Sequence, residues 1–501
     1  WVGGLALALG GLLLVRYSIE QGFFGPGARI VMGLAFAAGL IAAGEWFRRG
    51  ERALVIEAIP AAHIPGVLTA AGTATAFGTI YAAHALYGFI GPGAAFVLLG
   101  AVGIATMLAA ALQGPALAGL GLAGAYVAPL LVSSARPSPW PVVVYLAVVA
   151  AAAMGLARMR HWLWLAALAV AGAFVWGVPF LHRIDLGAPD WTLAGFLHGL
   201  IQLGLAAGFI AVEPHLATRD RDARLDPVAA GALGALTLLV IAMIGVARFD
   251  LGTAVPCTLA AAAILMGAAW LTASAASGAV LAGLVILAGV ASWPGLMAAP
   301  DKTLLAPAVA GVLRLPENVS SFIVFAALAS LGLAAAASLR LMRGRELSSA
   351  TAGCYALAAT ATPLLALVVA YLRVTQFDTS ISFAFAGAAL AAVFAFAAGR
   401  FQRSEVAGLA ATRIATGAFA AAAIAAICFG MVAHMERGYL TIALALTALG
   451  TAYVAASRDI PLLRHVVTVL ALVVLGRLAW DPRIMGAGVG RWPIVNWLLA
   501  G

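Results

Sequence analysis

The chain is built from apolar runs of about 20 residues, the length at which a helix crosses the hydrocarbon core of a bilayer. Hydrophobic residues make up 64% of its 501 residues and charged residues only 9%, whereas a soluble domain carries roughly 25% charged residues. Backbone groups in lipid must find partners within their own segment, and a helix provides them. The sequence therefore predicts an all-α, polytopic transmembrane protein.

The apolar runs predict seventeen spans, and an eighteenth begins near Ile494. The chain starts with Trp1 inside an apolar run and ends on "VNWLLAG", so we expect a longer protein to continue at both ends. We divide the chain into an N-terminal transmembrane region, a middle group of helices, and C-terminal helices that follow an outer-surface connection; these parts are 1–133, 134–297 and 298–501. The predicted spans are 1–15, 29–47, 61–86, 91–112, 114–133, 139–157, 161–179, 191–212, 227–247, 251–273, 275–296, 318–340, 349–372, 380–399, 405–431, 438–456 and 461–480.

The distribution of arginine and lysine predicts the orientation. Connections after even-numbered spans carry 16 of the 28 basic residues, in clusters such as "EWFRRGER" and "RLMRGR". The other 12 stand singly after odd-numbered spans, beside acidic residues such as Asp185 and Asp301. Because cytoplasmic loops carry an excess of basic residues, the even connections and the start of span 1 are predicted to be cytoplasmic.

One motif occurs twice, as "GFFGPGA" at 22–28 and as "GFIGPGA" at 88–94. Proline fixes φ and glycine tolerates positive φ, so each copy predicts a turn that leads into an apolar helix. Both copies lie between an odd and an even span. This placement favours a helix hairpin duplicated in one orientation, over about 1–60 and 61–112; chance recurrence of a convenient turn is the alternative.

Six stretches are specific when taken together: "RYSIEQGFFGPGAR", "GEWFRR", "VLTAAGTATAFGTIYAAHALYGFIGPGAAF", "GLAGAYVAPLLVSS", "PSPWPVVVYL" and "LAWDPRI". They resemble a bacterial family of large predicted membrane proteins, catalogued as domain of unknown function twenty-three thirty-nine. The resemblance implies a many-helix protein of the bacterial cytoplasmic (inner) membrane. It implies no reaction and no substrate, so no catalytic residue is assigned from it.

Span 3 carries a polar face. Thr69, Thr73 and His84 fall on one side of the helix at 100° per residue, together with Gly66. Polar groups within a bilayer are costly and raise a functional question, so this face is a candidate lining for a polar path. The alternative is close packing of small residues, with threonines bonded to their own helix. Glycines in span 5, Gly121 among them, indicate similar packing.

Span 8 carries the strongest candidate ligand-binding residues. His198 and Gln202 lie one turn apart, and Trp191 lies on the same side. Either polar side chain would be expensive in lipid, so both must face protein or water. A binding or proton-relay site and a structural interhelical hydrogen bond are both open interpretations.

Three residues are candidates at the outer face: Asp378, Arg477 and Asp481. Arg477 and Asp481 are one turn apart if the helix persists, which predicts an ion pair. Such groups would suit an outer pocket for a polar or sugar-like ligand. Solvated interfacial charges beside aromatic anchors would give the same pattern.

The sequence has no phosphate-binding loop, zinc motif or nucleophile elbow, so we predict no metal and no cofactor and leave catalytic residues unassigned. Membrane lipids, and other membrane or envelope proteins, are the expected partners; nucleic acid is not. Transport or flipping of a small or lipid-linked envelope molecule is the favoured hypothesis. The alternatives are a non-catalytic scaffold or assembly subunit, and a lipid- or glycan-modifying enzyme that would bring Asp378, Asp481, Glu436 or His182 into one outer cleft.

Overall fold

A computed structural model describes most of the chain, and the described residues form sixteen α-helices. The described residues are 6, 9, 10, 13, 17, 25–50, 64–132, 138–212, 225–247, 252–296, 315–343, 347–376, 378–403, 410–435, 437–458 and 460–480. Within this part, thirteen helical segments are long and apolar enough to cross a membrane. The predicted all-α polytopic fold is confirmed.

The chain forms two units, residues 1–210 and 211–501. The first unit contains seven described helices, and a π-helical segment, Ala207–Val212, continues the last of them. These helices coincide with predicted spans 2 to 8. They are α1 (Pro26–Gly50), α2 (Ile64–Ala85), α3 (Pro92–Gln113), α4 (Pro115–Leu131), α5 (Pro139–Arg160), α6 (Leu163–Asp185) and α7 (Pro189–Ala206).

The second unit contains nine described helices, which coincide with predicted spans 9 to 17. A two-residue antiparallel pair, β1 (Gly295–Leu296) and β2 (Leu315–Pro316), lies between the third and fourth of them. The helices are α8 (Pro227–Val246), α9 (Ala254–Leu271), α10 (Ser277–Ala291), α11 (Val319–Arg343), α12 (Ser349–Thr375), α13 (Ile381–Gln402), α14 (Ala410–His434), α15 (Arg437–Arg458) and α16 (Pro461–Trp480).

Small residues bring α1 and α2 together. A Cβ added at Gly33 would lie 2.6 Å from Thr79 Oγ1, and one at Gly72 would lie 2.8 Å from the Ala37 carbonyl oxygen. Thr79 Oγ1 also donates to the carbonyl of Thr75, one turn earlier in the same helix, at 2.8 Å. A hydroxyl bonded to its own helix can be buried without a partner on another helix, so Thr79 needs no hydrogen-bond partner on α1.

The same type of contact joins α3 to α4. A Cβ at Gly121 would lie 2.6 Å from the Met107 backbone nitrogen and 2.8 Å from the Gly103 carbonyl oxygen. Conversely, a Cβ at Gly103 would lie 3.0 Å from Ala125. Backbones this close require glycine on both helices, which agrees with the packing expected of span 5.

The repeated motif begins a helix in both copies. Helix α1 starts at Pro26, and α3 starts at Pro92 with Gly91 as its N-cap. Proline suits the first helical turn, where its missing N–H would have no intrahelical partner. The positive φ lies at Gly88 (64°), three residues before the second Gly-Pro-Gly, and Gly91 has φ of −70°. Duplication of the whole hairpin stays a prediction, as does the three-part division of the chain.

Several expectations fall outside the described residues. They are most of span 1, the eighteenth span, and the candidates Asp481 and Glu436.

Gly121→Ala should destabilise the first unit by about 1–3 kcal/mol, because the added methyl meets the backbone of α3. Gly119→Ala, in the same helix, is the matched control. Its Cβ would lie 3.6 Å from the Trp164 ring, so we expect no loss and a gain of up to about 1 kcal/mol from helix propensity. Thermal unfolding of the purified protein in detergent measures both changes; equal midpoints for the two variants would contradict the packing described here.

Candidate functional site

His198 lies on α7 and is fully buried. Its Nε2 lies 3.0 Å from the Ala173 carbonyl oxygen on α6, and its ring stacks on Phe180 with centroids 5.2 Å apart. A carbonyl only accepts hydrogen bonds, so Nε2 carries the proton and donates. In the neutral ring, Nδ1 is therefore an acceptor, and it has no hydrogen-bond partner among the described residues.

Gln202 follows one turn later on α7 and is 1% exposed. Its Nε2 donates to the Leu146 carbonyl on α5 at 3.3 Å, and its Oε1 has no partner in the described part of the chain. The two side chains tie α7 to both neighbouring helices. They also leave two buried acceptors, His198 Nδ1 and Gln202 Oε1, on residues one helical turn apart.

Trp191 lies at the start of α7 and is partly exposed. Its ring lies 5.7 Å from that of Phe180, and the guanidinium carbon of Arg183 lies 5.1 Å from its centroid. Aromatic contacts thus run from Trp191 through Phe180 to His198. An aromatic ring beside an arginine at a helix end is typical of a membrane-interface anchor.

The polar face of α2 is packed against neighbouring helices. Thr73 Oγ1 lies 3.0 Å from Thr106 Oγ1 on α3, and both hydroxyls are buried. Thr69 is 3% exposed and lies beside Gly44 on α1. His84 Nδ1 donates to the Ile90 carbonyl at 3.0 Å and so closes the turn before α3. These contacts give each residue a packing role, while ligand binding at this face stays a prediction.

The outer-face candidates lie at the ends of helices in the second unit. Asp378 is exposed, between α12 and α13, and its carbonyl accepts a hydrogen bond from the Tyr371 hydroxyl at 3.2 Å. Arg477 Nε donates to Thr441 Oγ1 at 3.4 Å. The pairing of Arg477 with Asp481 stays a prediction.

Arg373, near the C-terminus of α12, was not singled out from the sequence. It is the largest fully buried side chain among the described residues. Its guanidinium donates to the carbonyls of Val290 (3.0 Å), Ala291 (3.2 Å) and Trp293 (2.7 Å), and its carbon lies 5.3 Å from the Phe322 ring centroid. A cation here satisfies carbonyls that the end of α10 leaves free and faces the negative pole of its dipole.

Trp293 extends the Arg373 contacts toward the short strands. Its Nε1 donates to the Glu317 carbonyl at 2.9 Å, and its ring lies 5.7 Å from Phe322. The sequence signal for this cluster was an arginine in the last turn of an otherwise apolar span. This signal alone does not predict a buried side chain, because interfacial arginines are usually solvated.

Two lateral grooves run along the helices of the second unit. The first, of about 770 Å³, lies between α12, α14 and α16. The second, of about 730 Å³, is lined by α13, α14 and α15, by Ile460 just before α16, and by Leu463 in the first turn of α16. We call them the α12–α14–α16 groove and the α13–α14–α15 groove. They use different faces of α14: Gly417 and Ala421 line the first, and Ala420 and Ile424 line the second.

Comparison with known proteins identifies a family. A family described as "Predicted membrane protein (DUF2339)" matches residues 1–314. The chain belongs to this family. Its match includes all of the first unit and α8 to α10, whereas "LAWDPRI" and both grooves lie beyond it. No curated protein and no solved structure matches the chain.

The candidate residues are divided between the two units. His198, Gln202 and the α2 face belong to the first unit, whereas Asp378 and Arg477 belong to the second. Among the described residues, no group of three or more His, Cys, Asp or Glu side chains could hold a metal ion. The α12–α14–α16 groove and the α13–α14–α15 groove are two features of the second unit that are open to a ligand.

Arg373→Met should destabilise the second unit by about 3 kcal/mol, because the lost guanidinium leaves buried carbonyls without donors. Arg373→Lys should also be destabilised, since an ammonium cannot reproduce the planar fork. Arg477→Met is the control, because Arg477 is partly exposed and makes one long hydrogen bond. Thermal unfolding in detergent ranks the three; a tolerated Arg373→Met would show that the carbonyls have other donors.

Proposed function

We propose that this DUF2339 protein is a non-catalytic scaffold of the bacterial cytoplasmic membrane, and that its second unit holds acyl chains of membrane lipids in lateral grooves. The observation that carries this proposal is the contrast between the two kinds of candidate site. The strongest polar candidates, His198 and Gln202, are buried and bonded to neighbouring backbones. The grooves are open and lined mainly by apolar residues, many of them alanine.

The composition of the α12–α14–α16 groove suits an acyl chain. Its walls are mainly alanine, glycine and leucine, including Ala356, Leu364 and Ala418. On α12 the lining runs from Ser349 to Leu364, which is about 22 Å at the helical rise of 1.5 Å per residue. A bilayer core is about 30 Å thick, so the groove spans one leaflet and part of the interface.

The shape of the groove suits a lipid chain. A partner helix is about 10–12 Å across with its side chains, whereas a hydrocarbon chain is much thinner. Such a chain can enter between the small residues of the groove, such as Gly417 and Ala421, and contact them.

Ala418→Phe should reduce the number of phospholipids that co-purify with the protein, because the ring fills the α12–α14–α16 groove. The matched control is Ala389→Phe on α13, at an exposed position that lines neither groove. Native mass spectrometry of the full chain from mild detergent counts the bound lipids. Equal lipid retention by the two variants would contradict acyl-chain binding in the groove.

Transport or flipping of a small or lipid-linked envelope molecule is the second candidate function. The observation that favours it is the pair of buried acceptors, His198 Nδ1 and Gln202 Oε1, that lack partners in the described part of the chain. A transport cycle would have to expose this pair to water. The enzyme alternative stays a prediction, because two of its four residues lie outside the described residues.

Access to Gln202 separates these two functions. We would place Gln202→Cys in a background with Cys257, Cys354 and Cys428 replaced by serine, and treat membranes with a water-soluble maleimide. The scaffold predicts no labelling at this position, whereas Leu186→Cys, which is exposed between α6 and α7, should label readily. Labelling of Gln202→Cys from either side of the membrane would instead support transport.

A further inference from the structure

One end of the α12–α14–α16 groove differs chemically from the rest. Ser349, Arg413 and His465 line it, and all three are exposed. They lie in the first turns of α12, α14 and α16. The three helices thus start at the same end of the groove, and their dipoles place partial positive charge there, of the same sign as Arg413.

The surrounding connections add charge of that sign. The stretches 340–346, 400–413 and 458–465 precede or open these three helices, and together they hold eight arginines and three carboxylates. Basic excess of this kind predicts the cytoplasmic side. The inner leaflet on that side is the one that presents anionic headgroups to basic residues.

We infer that the α12–α14–α16 groove is a binding site for an anionic phospholipid. Arg413 pairs with the headgroup phosphate, and His465 offers a ring nitrogen as a second hydrogen-bond donor. One acyl chain lies along the small residues farther down the groove, such as Gly353 and Ala421. This assignment rests on the proposed function, because it requires that the groove hold a lipid chain.

Charge complementarity selects the headgroup class. A zwitterionic headgroup carries a cation beyond its phosphate, and that cation would face Arg413 and the neighbouring arginines. An anionic headgroup such as glycerol phosphate has no such cation. The long aliphatic part of Arg413 allows its guanidinium to reach the interface while its methylenes stay against the groove.

The experiment is competition between two lipids on the purified full chain. Protein is incubated with equimolar phosphatidylglycerol and phosphatidylcholine of identical acyl chains, and bound lipids are counted by native mass spectrometry. We expect phosphatidylglycerol to be preferred about fivefold, the factor given by about 1 kcal/mol for one basic side chain near the surface. Arg413→Gln should remove this preference. Arg400→Gln should keep it, since Arg400 lies at the same end of the bundle but does not line the groove.

The outcomes separate the two levels of the proposal. Loss of the preference in Arg413→Gln alone supports the anionic site. If both lipids bind equally and Ala418→Phe abolishes their binding, the headgroup assignment is wrong but acyl-chain binding in the groove is supported. If Arg413→Gln and Arg400→Gln lose the preference for phosphatidylglycerol equally, the preference comes from general surface charge, and the proposed headgroup site is overturned. If neither lipid binds to the unmodified chain in larger numbers than to Ala418→Phe, both the proposed function and this inference are overturned.

Discussion

Hydrogen bonding in the absence of water governs the arrangement of this protein. Within a bilayer core, each polar group must find its partner in the chain itself. The structure meets this requirement largely with backbone carbonyls. Thr79 bonds back to its own helix, His198 reaches across to α6, and Arg373 collects three carbonyls at the end of α10. Polar residues that look like candidates for chemistry in the sequence thereby become cross-links between helices.

Small residues have two opposite effects in the two units. Where glycine faces backbone, as Gly121 faces Met107, helices approach until no ligand could pass between them. Where alanine and glycine line the surface beside larger side chains, as along α14, they leave open grooves. The same composition therefore gives a closely packed interface or an open groove, and the neighbouring helix decides which.

Much of the fold could be predicted from the sequence. Sixteen predicted spans coincide with described helices, because apolar run length and Pro-Gly turns are local signals. The cost of polar groups in lipid predicted that His198 and Gln202 face protein or water, and in the structure both are buried in protein. The acceptors they bond, Ala173 and Leu146, could not be predicted, because they lie 25 and 56 residues away in the chain. The role of Arg373 and the grooves were missed for the same reason: each depends on which helices become neighbours.

The contacts of Arg373 and Trp293 have a consequence for the segment between β1 and β2, residues 297–314. Leu296 and Leu315 face each other in the two-residue pair, and Trp293 is bonded to Arg373 on one side and to Glu317 on the other. The two ends of the intervening segment are therefore fixed at strand spacing, whatever its length. Since doubling a closed loop costs only about 0.6 kcal/mol of closure entropy, evolution can lengthen or rewrite this connection while α10, α11 and α12 keep their positions. Changes of length or sequence in this segment therefore need not disturb the three helices.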